Sequence, residues 1–185
     1  MSNQTPYPIS VAFTAENIKK SIKFYRDKLG FTLAGTFPDE KKPVWANLIL
    51  AGQSIMLGQS MSAKDMKKAC HDNKKAGEFW AEHARRFQRG SHGVGVCVYL
   101  HVADVYAYQK ELKGRRLKAS LPPTTQFYGL REMVVTDPDG YTLIFYTQVQ
   151  TAKPPEEAGA CSPDATATPP AVEIPKVSKL AAAPA

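Results

Sequence analysis

Residues 128–146 read YGLREMVVTDPDGYTLIFY, two alternating apolar runs joined by the segment Asp137-Pro138-Asp139-Gly140. Pro138 presets the backbone φ angle, and the Asp137 side chain can accept a hydrogen bond from the backbone that follows it. Gly140 tolerates an unusual backbone conformation at the exit. The pattern therefore predicts a tight turn between two antiparallel strands, over residues 130–136 and 141–147.

The first half of the chain predicts a strand, a helix and three further strands. Asn17 is a suitable N-cap for the helix, apolar residues follow at helical spacing as far as Leu29, and Gly30 stands where a helix ends. The predicted strands cover residues 9–14, 31–33, 44–50 and 54–58.

The second half repeats this order. Asp104 is the predicted cap and Gly114 the predicted end of its helix, and Asp104 follows Asn17 at a distance of 87 residues. The predicted strands cover residues 95–101, 117–119, 130–136 and 141–147. The repeat predicts an α+β fold of two tandem β-α-β-β-β modules that form a concave mixed sheet, with a helical insertion between them.

The predicted domain covers residues 1–150, with modules at about 7–60 and 93–150. The insertion, residues 61–92, is rich in helix formers and predicts one or two helices that cover a sheet edge or a cavity mouth. Its aromatic residues, Phe79, Trp80 and Phe87 together with His83, are expected to pack on the sheet rather than to form a lid. Residues 151–185 are rich in Pro and Ala and predict a disordered tail.

Composition and charge narrow the function classes. The formal net charge of the 185 residues is +7, and residues 1–150 carry +8 because the tail has one more acidic than basic residue. The basic residues are scattered along helices without a recognised motif, so no nucleic acid partner is expected. No apolar run has the length of a membrane span and the N-terminus lacks a secretion signal, so we expect no membrane partner and a cytoplasmic location. Three widely spaced cysteines agree with a reducing compartment.

The repeated unit, the run FYRDKLGF at residues 24–31 and the 137–140 turn resemble the vicinal oxygen chelate superfamily. This superfamily includes glyoxalase I, extradiol dioxygenases and bleomycin-resistance proteins. The run YGLREM at residues 128–133 is most similar to the bleomycin-resistance branch. That resemblance implies a homodimer that confers antibiotic resistance by holding a drug-like small molecule, with no cofactor and no catalytic residue.

Enzymes of the superfamily hold a divalent metal with His, Glu or Gln at four inward-facing strand positions. The resemblance maps these positions onto Ser10, Met56, Cys97 and Ile144. Ser10 is a poor ligand, Ile144 has no donor atom, and the sulfur atoms of Met56 and Cys97 are soft donors. We therefore expect no metal site of the family type.

Nine residues are the candidates for ligand binding. They combine aromatic walls with a few polar anchors at positions expected to face the cavity: Trp45, Met56, Cys97, Tyr99, His101, Tyr128, Glu132, Ile144 and Tyr146. About half of the four aromatic candidates are expected to belong only to the core.

Three of the nine have an alternative interpretation. His101 either binds a ligand or acts as a base at the cavity rim, or it is a solvated histidine at a strand end. Cys97 is either a nucleophile or, more often for this residue type, a small buried hydrophobe. Glu132 either meets a cationic or hydroxyl-bearing ligand or pairs with a Lys or Arg of a neighbouring strand.

The sequence thus predicts metal-independent binding or sequestration of a small drug-like or hydrophobic molecule in a sheet groove. The alternative is an enzyme of the same superfamily, a lyase or oxidoreductase, with a displaced metal site or with acid-base chemistry by His101 or Glu132. A third hypothesis is a regulatory or scaffolding protein that docks through the insertion or the tail.

Overall fold

The computed structural model describes residues 10–90 and 92–149. The predicted tail, residues 151–185, lies outside the described residues. Each half of the described chain forms one four-stranded sheet with strand order β1-β4-β3-β2 in the first half and β5-β8-β7-β6 in the second. The first pair of strands in each order is parallel, namely β1 with β4 in the first sheet and β5 with β8 in the second. The other pairs are antiparallel.

The first sheet comprises β1 (Val11–Ala15), β2 (Thr32–Phe37), β3 (Trp45–Leu50) and β4 (Gln53–Gln59), and α1 (Ile18–Lys23) follows β1 and continues as a π-helical turn, Phe24–Lys28. The second sheet comprises β5 (Cys97–His101), β6 (Leu121–Thr125), β7 (Leu130–Thr136) and β8 (Thr142–Gln148), and α4 (Val105–Gly114) follows β5. The insertion forms α2 (Ala63–Ala69) and α3 (Lys74–Arg89). The predicted α+β class and the two-module arrangement are confirmed.

Helix caps and turns form for the local reasons that the sequence indicates. The Asn17 side chain accepts from the backbone N–H of Lys20, and the Asp104 side chain accepts from the N–H of Tyr106. In the 137–140 turn, Asp137 Oδ1 accepts from the N–H groups of Asp139 and Tyr141 at 3.0 and 2.8 Å. The side chain of Asp137 therefore holds the turn in place.

Two predictions within the elements are wrong. The strand predicted over residues 117–119 lies at Leu121–Thr125 instead, because the N–H of Leu117 closes the end of α4 on the carbonyl of Leu112. This edge strand tolerates Pro122 and Pro123 beside a register shift. In α3 the buried residues are Gly77, Ala81 and Ala84. The aromatic residues predicted to pack on the sheet, Phe79 and Trp80, are exposed.

One apolar core joins the two modules. It combines residues of α1 and α4 with those strand residues of both sheets that point toward these helices. The Tyr108 hydroxyl of α4 donates to the carbonyl of Leu29 at 2.6 Å, and Lys28 donates to the carbonyl of Arg115 at 2.7 Å. The two helices therefore contact each other across the module boundary.

The 137–140 turn also binds the second module to the first. Asp137 Oδ2 accepts from the buried Tyr25 hydroxyl at 2.9 Å. Asp139 accepts from the Ser21 hydroxyl at 2.6 Å and from the backbone N–H of Glu16 at 2.9 Å. We call these five residues the inter-module clasp.

Side chains from the opposite module satisfy the backbone at the two free edges between the sheets. The Tyr141 hydroxyl lies within hydrogen-bond distance of the N–H and the carbonyl of Thr14, at 3.2 and 3.1 Å. The Gln53 amide contacts the N–H and the carbonyl of His101, both at 2.8 Å. Thr14 and His101 are separated by the 87-residue repeat, so both halves of the repeat cap an edge strand in the same way.

The carboxyl group of Asp137 in the clasp is buried, and burial affects its pKa. Removal of water raises the pKa of the Asp137 carboxyl above its ordinary value, although hydrogen bonds from Tyr141 and Tyr25 oppose this effect. A group with a raised folded-state pKa stabilises the fold most below its unfolded pKa. That contribution is lost as pH rises through the folded pKa.

The variant Asp137→Asn tests this electrostatic cost. Asparagine keeps the Oδ1 acceptor for the turn and removes the buried charge. We expect its free energy of unfolding, relative to that of the unmodified chain, to be higher at pH 7 than near pH ~3. Urea unfolding at both pH values measures the difference, with the exposed Glu78→Gln as control. A difference that does not change with pH would contradict the expectation.

Candidate functional site

Seven of the nine candidate residues come together on one face of the second sheet. Along β5 the side chains of Cys97, Tyr99 and His101 alternate with the more buried Val98 and Leu100. In the adjacent strand β8, Ile144 is paired with Tyr99 and Tyr146 with His101. The face also contains Glu132 of β7, opposite Tyr146, and the nearby Tyr128. We call these seven residues the tyrosine face.

A buried carboxylate and a tyrosine form the polar centre of the tyrosine face. The Glu132 side chain is 7% exposed, and both of its oxygens lie 3.0 Å from the Tyr128 hydroxyl, which donates to them. Removal of water from the hydroxyl, followed by the hydrogen bond and the charge of Glu132, raises the pKa of Tyr128 to about 12. At neutral pH Tyr128 is therefore a hydrogen-bond donor and not a base.

The aromatic rings of this face lie around that centre and remain partly exposed to solvent. Tyr146 makes edge contacts with Tyr99 and His101, at ring-centroid distances of 5.9 and 5.5 Å. Tyr99 and Tyr128 are both about half-exposed. Such a surface offers aromatic area for stacking and a recessed carboxylate for a donor group.

The two remaining candidates, Trp45 and Met56, lie on the first sheet. They line a cavity of about 300 Å³ between this sheet and the insertion, which we call the tryptophan cavity. The insertion contributes Met66, Trp80 and His83 to its wall. The cavity lining is thus rich in tryptophan and methionine side chains, and methionine adapts readily to ligands of different shape.

The insertion is attached beside this cavity by His92. The imidazole of His92 stacks on Phe87 of α3 with a centroid distance of 3.7 Å. Its Nε2 lies 2.7 Å from the carbonyl of Phe87, and its Nδ1 lies 3.1 Å from the carbonyl of Asp139. The end of α3 is therefore held against the 137–140 turn.

The predicted site is thus two surfaces on two sheets. The sequence indicated which strand residues share a face, but it did not indicate that Met66, Trp80 and His83 line a cavity with Trp45. The sequence signal for these three residues is the apolar contact surface that they offer in the insertion, and the helical spacing of Trp80 and His83 predicts packing on the sheet rather than a lid.

The structure bears on one side of two of the alternatives. Cys97 is exposed, so the interpretation of Cys97 as a small buried hydrophobe is wrong. Glu132 accepts from Tyr128 and not from a Lys or Arg of a neighbouring strand. Its neighbour Arg131 lies over the Tyr106 ring at 4.6 Å and donates to Thr125. The role of each of the nine residues in ligand binding stays a prediction.

The four positions that correspond to a family metal site do not suit a divalent ion. Met56 belongs to the first sheet, and Cys97 and Ile144 belong to the second, where the hydrocarbon side chain of Ile144 has no donor atom. Within residues 10–90 and 92–149 no group of three or more His, Cys, Asp or Glu side chains is placed to hold a metal ion.

Fold and surfaces together define a paired β-α-β-β-β protein with open sheet faces, and comparison with known proteins agrees. The family model described as Glyoxalase/Bleomycin resistance protein/Dioxygenase superfamily matches residues 9–145. The chain belongs to this superfamily.

Several solved structures share the fold. One is a glyoxalase/bleomycin resistance protein/dioxygenase from Nocardioides, at 16% identity and a TM-score of 0.55, covering 83% of this chain and 90% of that one. TioX from Micromonospora sp. ML1 has 14% identity and a TM-score of 0.54, covering 78% and 100%. UcmS2 has 18% identity and a TM-score of 0.53, covering 77% and 98%. At these identities the likeness concerns the fold alone, and among curated proteins none matches significantly.

In the part of the chain that the structure describes, no helix is both long enough and apolar enough to cross a bilayer.

The variant Glu132→Gln tests the polar centre of the tyrosine face. Removing the carboxylate charge should lower the pKa of Tyr128 from about 12 toward the ordinary tyrosine value. NMR of ¹³Cζ-labelled tyrosine between pH 9 and 11 measures this change, with Tyr128→Phe to assign the signal and the exposed Glu40→Gln as control. An unchanged Tyr128 titration would show that Glu132 does not interact with the hydroxyl.

Proposed function

We propose that this protein binds and sequesters a small, drug-like, largely apolar molecule without the help of a metal. The observation that carries the proposal is the tryptophan cavity. Its volume of about 300 Å³ is at the lower end of the range that is typical of ligand pockets. Its walls combine flat aromatic rings with flexible thioethers, and burial of apolar ligand surface would supply the binding free energy.

The chemistry of the lining supports an apolar ligand with at most a few polar groups. Trp45, Met56, Met66 and Trp80 offer mainly hydrocarbon, aromatic and sulfur surface, and His83 is the titratable group among the lining side chains. A ligand with a large apolar body and one hydroxyl or amine fits this combination. A highly charged metabolite would lose its hydration without gaining matching partners.

Fluorescence titration tests the proposal, because the chain has two tryptophans and both line the tryptophan cavity. A panel of planar apolar compounds with one hydroxyl or amine should include members that quench the fluorescence saturably. Ala12→Leu adds three carbons to a side chain of the cavity wall. It should weaken binding by about fivefold to a hundredfold.

The matched control is Ala107→Leu, at an exposed position of α4, which should leave binding unchanged. A panel without any saturable change would contradict the proposal. Purified protein that holds one equivalent of tightly bound Zn, Fe, Mn or Ni would contradict the metal-free part of it.

We further propose that the protein is a homodimer, as the bleomycin-resistance branch implies. The support is the open tyrosine face: Tyr99 and Tyr128 are about half-exposed, and the neighbouring Phe127 is 91% exposed. Contiguous exposed aromatic surface of this kind is typical of an interface. A second copy placed on this face would supply a wall opposite Glu132.

Sedimentation equilibrium tests the dimer. The unmodified chain should have twice the 20.3 kDa mass of one chain, and Phe127→Asp should weaken the association by about tenfold or more, because a buried aromatic anchor would be replaced by a charge. The exposed Lys64→Asp is the control for an added carboxylate. A monomer at all concentrations would contradict this part of the proposal without affecting the fluorescence result.

An enzyme of the same superfamily is the second candidate function, and one arrangement favours it. The buried Glu132 carboxylate shares a face with the imidazole of His101, and such groups commonly transfer protons. The exposed Cys97 lies two residues before Tyr99 on the same face. Turnover of a bound compound that Glu132→Gln abolishes without weakening binding would establish this alternative.

A further inference from the structure

A second, larger cavity lies on the face of the second sheet that is opposite to the tyrosine face. It has a volume of about 630 Å³ and lies between the C-terminal half of α4, the segment 115–120 and strands β6 and β7. Met133 lines it, whereas the adjacent Glu132 belongs to the tyrosine face, because neighbouring residues of a strand point to opposite faces. We call it the helix-side cavity.

The floor of the helix-side cavity is apolar and firmly packed. Leu112 of α4 and Met133 of β7 both line the cavity and belong to the fully buried core. Leu117, Ala119 and Pro122 extend the apolar lining toward the opening. A ligand in contact with Leu117, Ala119 and Pro122 would bury hydrocarbon surface.

A difference between the two halves of the repeat explains why the space is open. In the first module, Phe31 donates its N–H to the carbonyl of Tyr25 at the end of the helical segment and is 2% exposed. In the second module, Leu117 makes the equivalent bond to Leu112 but is only partly buried. A large, buried ring of the first module thus corresponds to a smaller, partly exposed side chain in the second.

The wall beside this opening is fixed rather than loose. The N–H of Ser120 donates to the carbonyl of Val134 at 2.8 Å, and the Ser120 hydroxyl accepts from the N–H of Thr136 at 3.1 Å. Together with the bond from Leu117 to Leu112, these contacts hold both ends of the segment between α4 and β6. The cavity is therefore largely preformed.

The charge at the opening has one sign. Lys113, Arg116 and Lys118 line the cavity and are exposed, and the lining includes no Asp or Glu. Arg116 has a φ angle of 56°, in the left-handed region that a non-glycine residue rarely adopts. An apolar floor below three cations is complementary to an amphipathic anion.

We propose that the helix-side cavity binds such a molecule, with its hydrocarbon body against Leu117, Ala119 and Pro122, above the buried Leu112 and Met133, and a carboxylate or phosphate at Lys113, Arg116 and Lys118. The volume of about 630 Å³ lies within the range of small-molecule sites. This site is separate from the tryptophan cavity and the tyrosine face, and the proposal does not depend on either.

The test uses decanoate as the anionic probe and decanol and decyltrimethylammonium as matched neutral and cationic probes. NMR of ¹³C-methyl-methionine protein distinguishes the sites. Met133 reports on the helix-side cavity, and Met56, Met61 and Met66 report on the tryptophan cavity. Decanoate should shift the Met133 signal saturably, and more tightly than either other probe. Met133→Leu assigns that signal.

Two variants test separately how the lysine charges and the volume of the cavity contribute to decanoate binding. Lys113→Gln combined with Lys118→Gln should weaken decanoate binding by about three- to tenfold, whereas Lys110→Gln, an exposed lysine of the same helix, should not change it. Leu117→Phe reproduces the ring of the first module and should abolish the Met133 shift. Thermal unfolding of Leu117→Phe verifies that the variant is folded, and the conservative Leu117→Met should retain binding.

Four results would overturn the proposal. They are a Met133 signal that decanoate leaves unmoved, equal binding of decanol and decanoate, and undiminished binding by folded Leu117→Phe. The fourth is a Met133 signal that shifts with protein concentration alone, which would place a second copy over the cavity. Sedimentation with phosphatidylglycerol vesicles adds a further arm. Protein that pellets with them while decanoate gives no saturable shift would assign the cations to a membrane surface instead.

Discussion

The hydrogen bond between the buried Tyr25 hydroxyl and Asp137 is the contact on which the arrangement of the two modules depends. Each module has its own four-stranded sheet, and backbone hydrogen bonds within each sheet do not join the two. The joining is left to helix packing, to the edge contacts of Tyr141 and Gln53, and to the inter-module clasp, in which one turn supplies two carboxylates to the other module. An aspartate serves this purpose because one of its oxygens holds the turn while the other accepts from Tyr25.

Much of the fold follows from local pattern. The strand over residues 130–136 has the predicted bounds because its alternation of side chains persists without interruption up to the turn. The caps Asn17 and Asp104 were predictable because capping depends on contacts within a few residues. The strand placed at 117–119 shows the limit of such patterns. Strand β6 contains Pro122 and Pro123, and the edge position that makes these prolines tolerable is a property of the whole sheet.

The sequence predicts which strand residues of the candidate site share a face, but it does not predict which elements pack against that face. Alternation along β5 indicated that Cys97, Tyr99 and His101 share a face, and they do. Nothing local indicated that Trp45 and Met56 would face α3 instead, because that depends on how the insertion folds back over the first sheet. The partner of Glu132 also escaped prediction. Tyr128 lies four residues earlier, across the bend that leads into β7, and only the backbone path brings its hydroxyl to the carboxylate.

The capped edges have a consequence for self-association. Tyr141 and Gln53 occupy backbone groups of β1 and β5 that would otherwise be available to an incoming strand. At the far side of the second sheet, the edge strand β6 contains two prolines, neither of which has a backbone N–H to donate. Strand β2, at the far side of the first sheet, contains no proline and ends at the exposed Phe37. Of the sheet margins in the described part of the chain, β2 is thus the one least defended against fibril growth by strand addition.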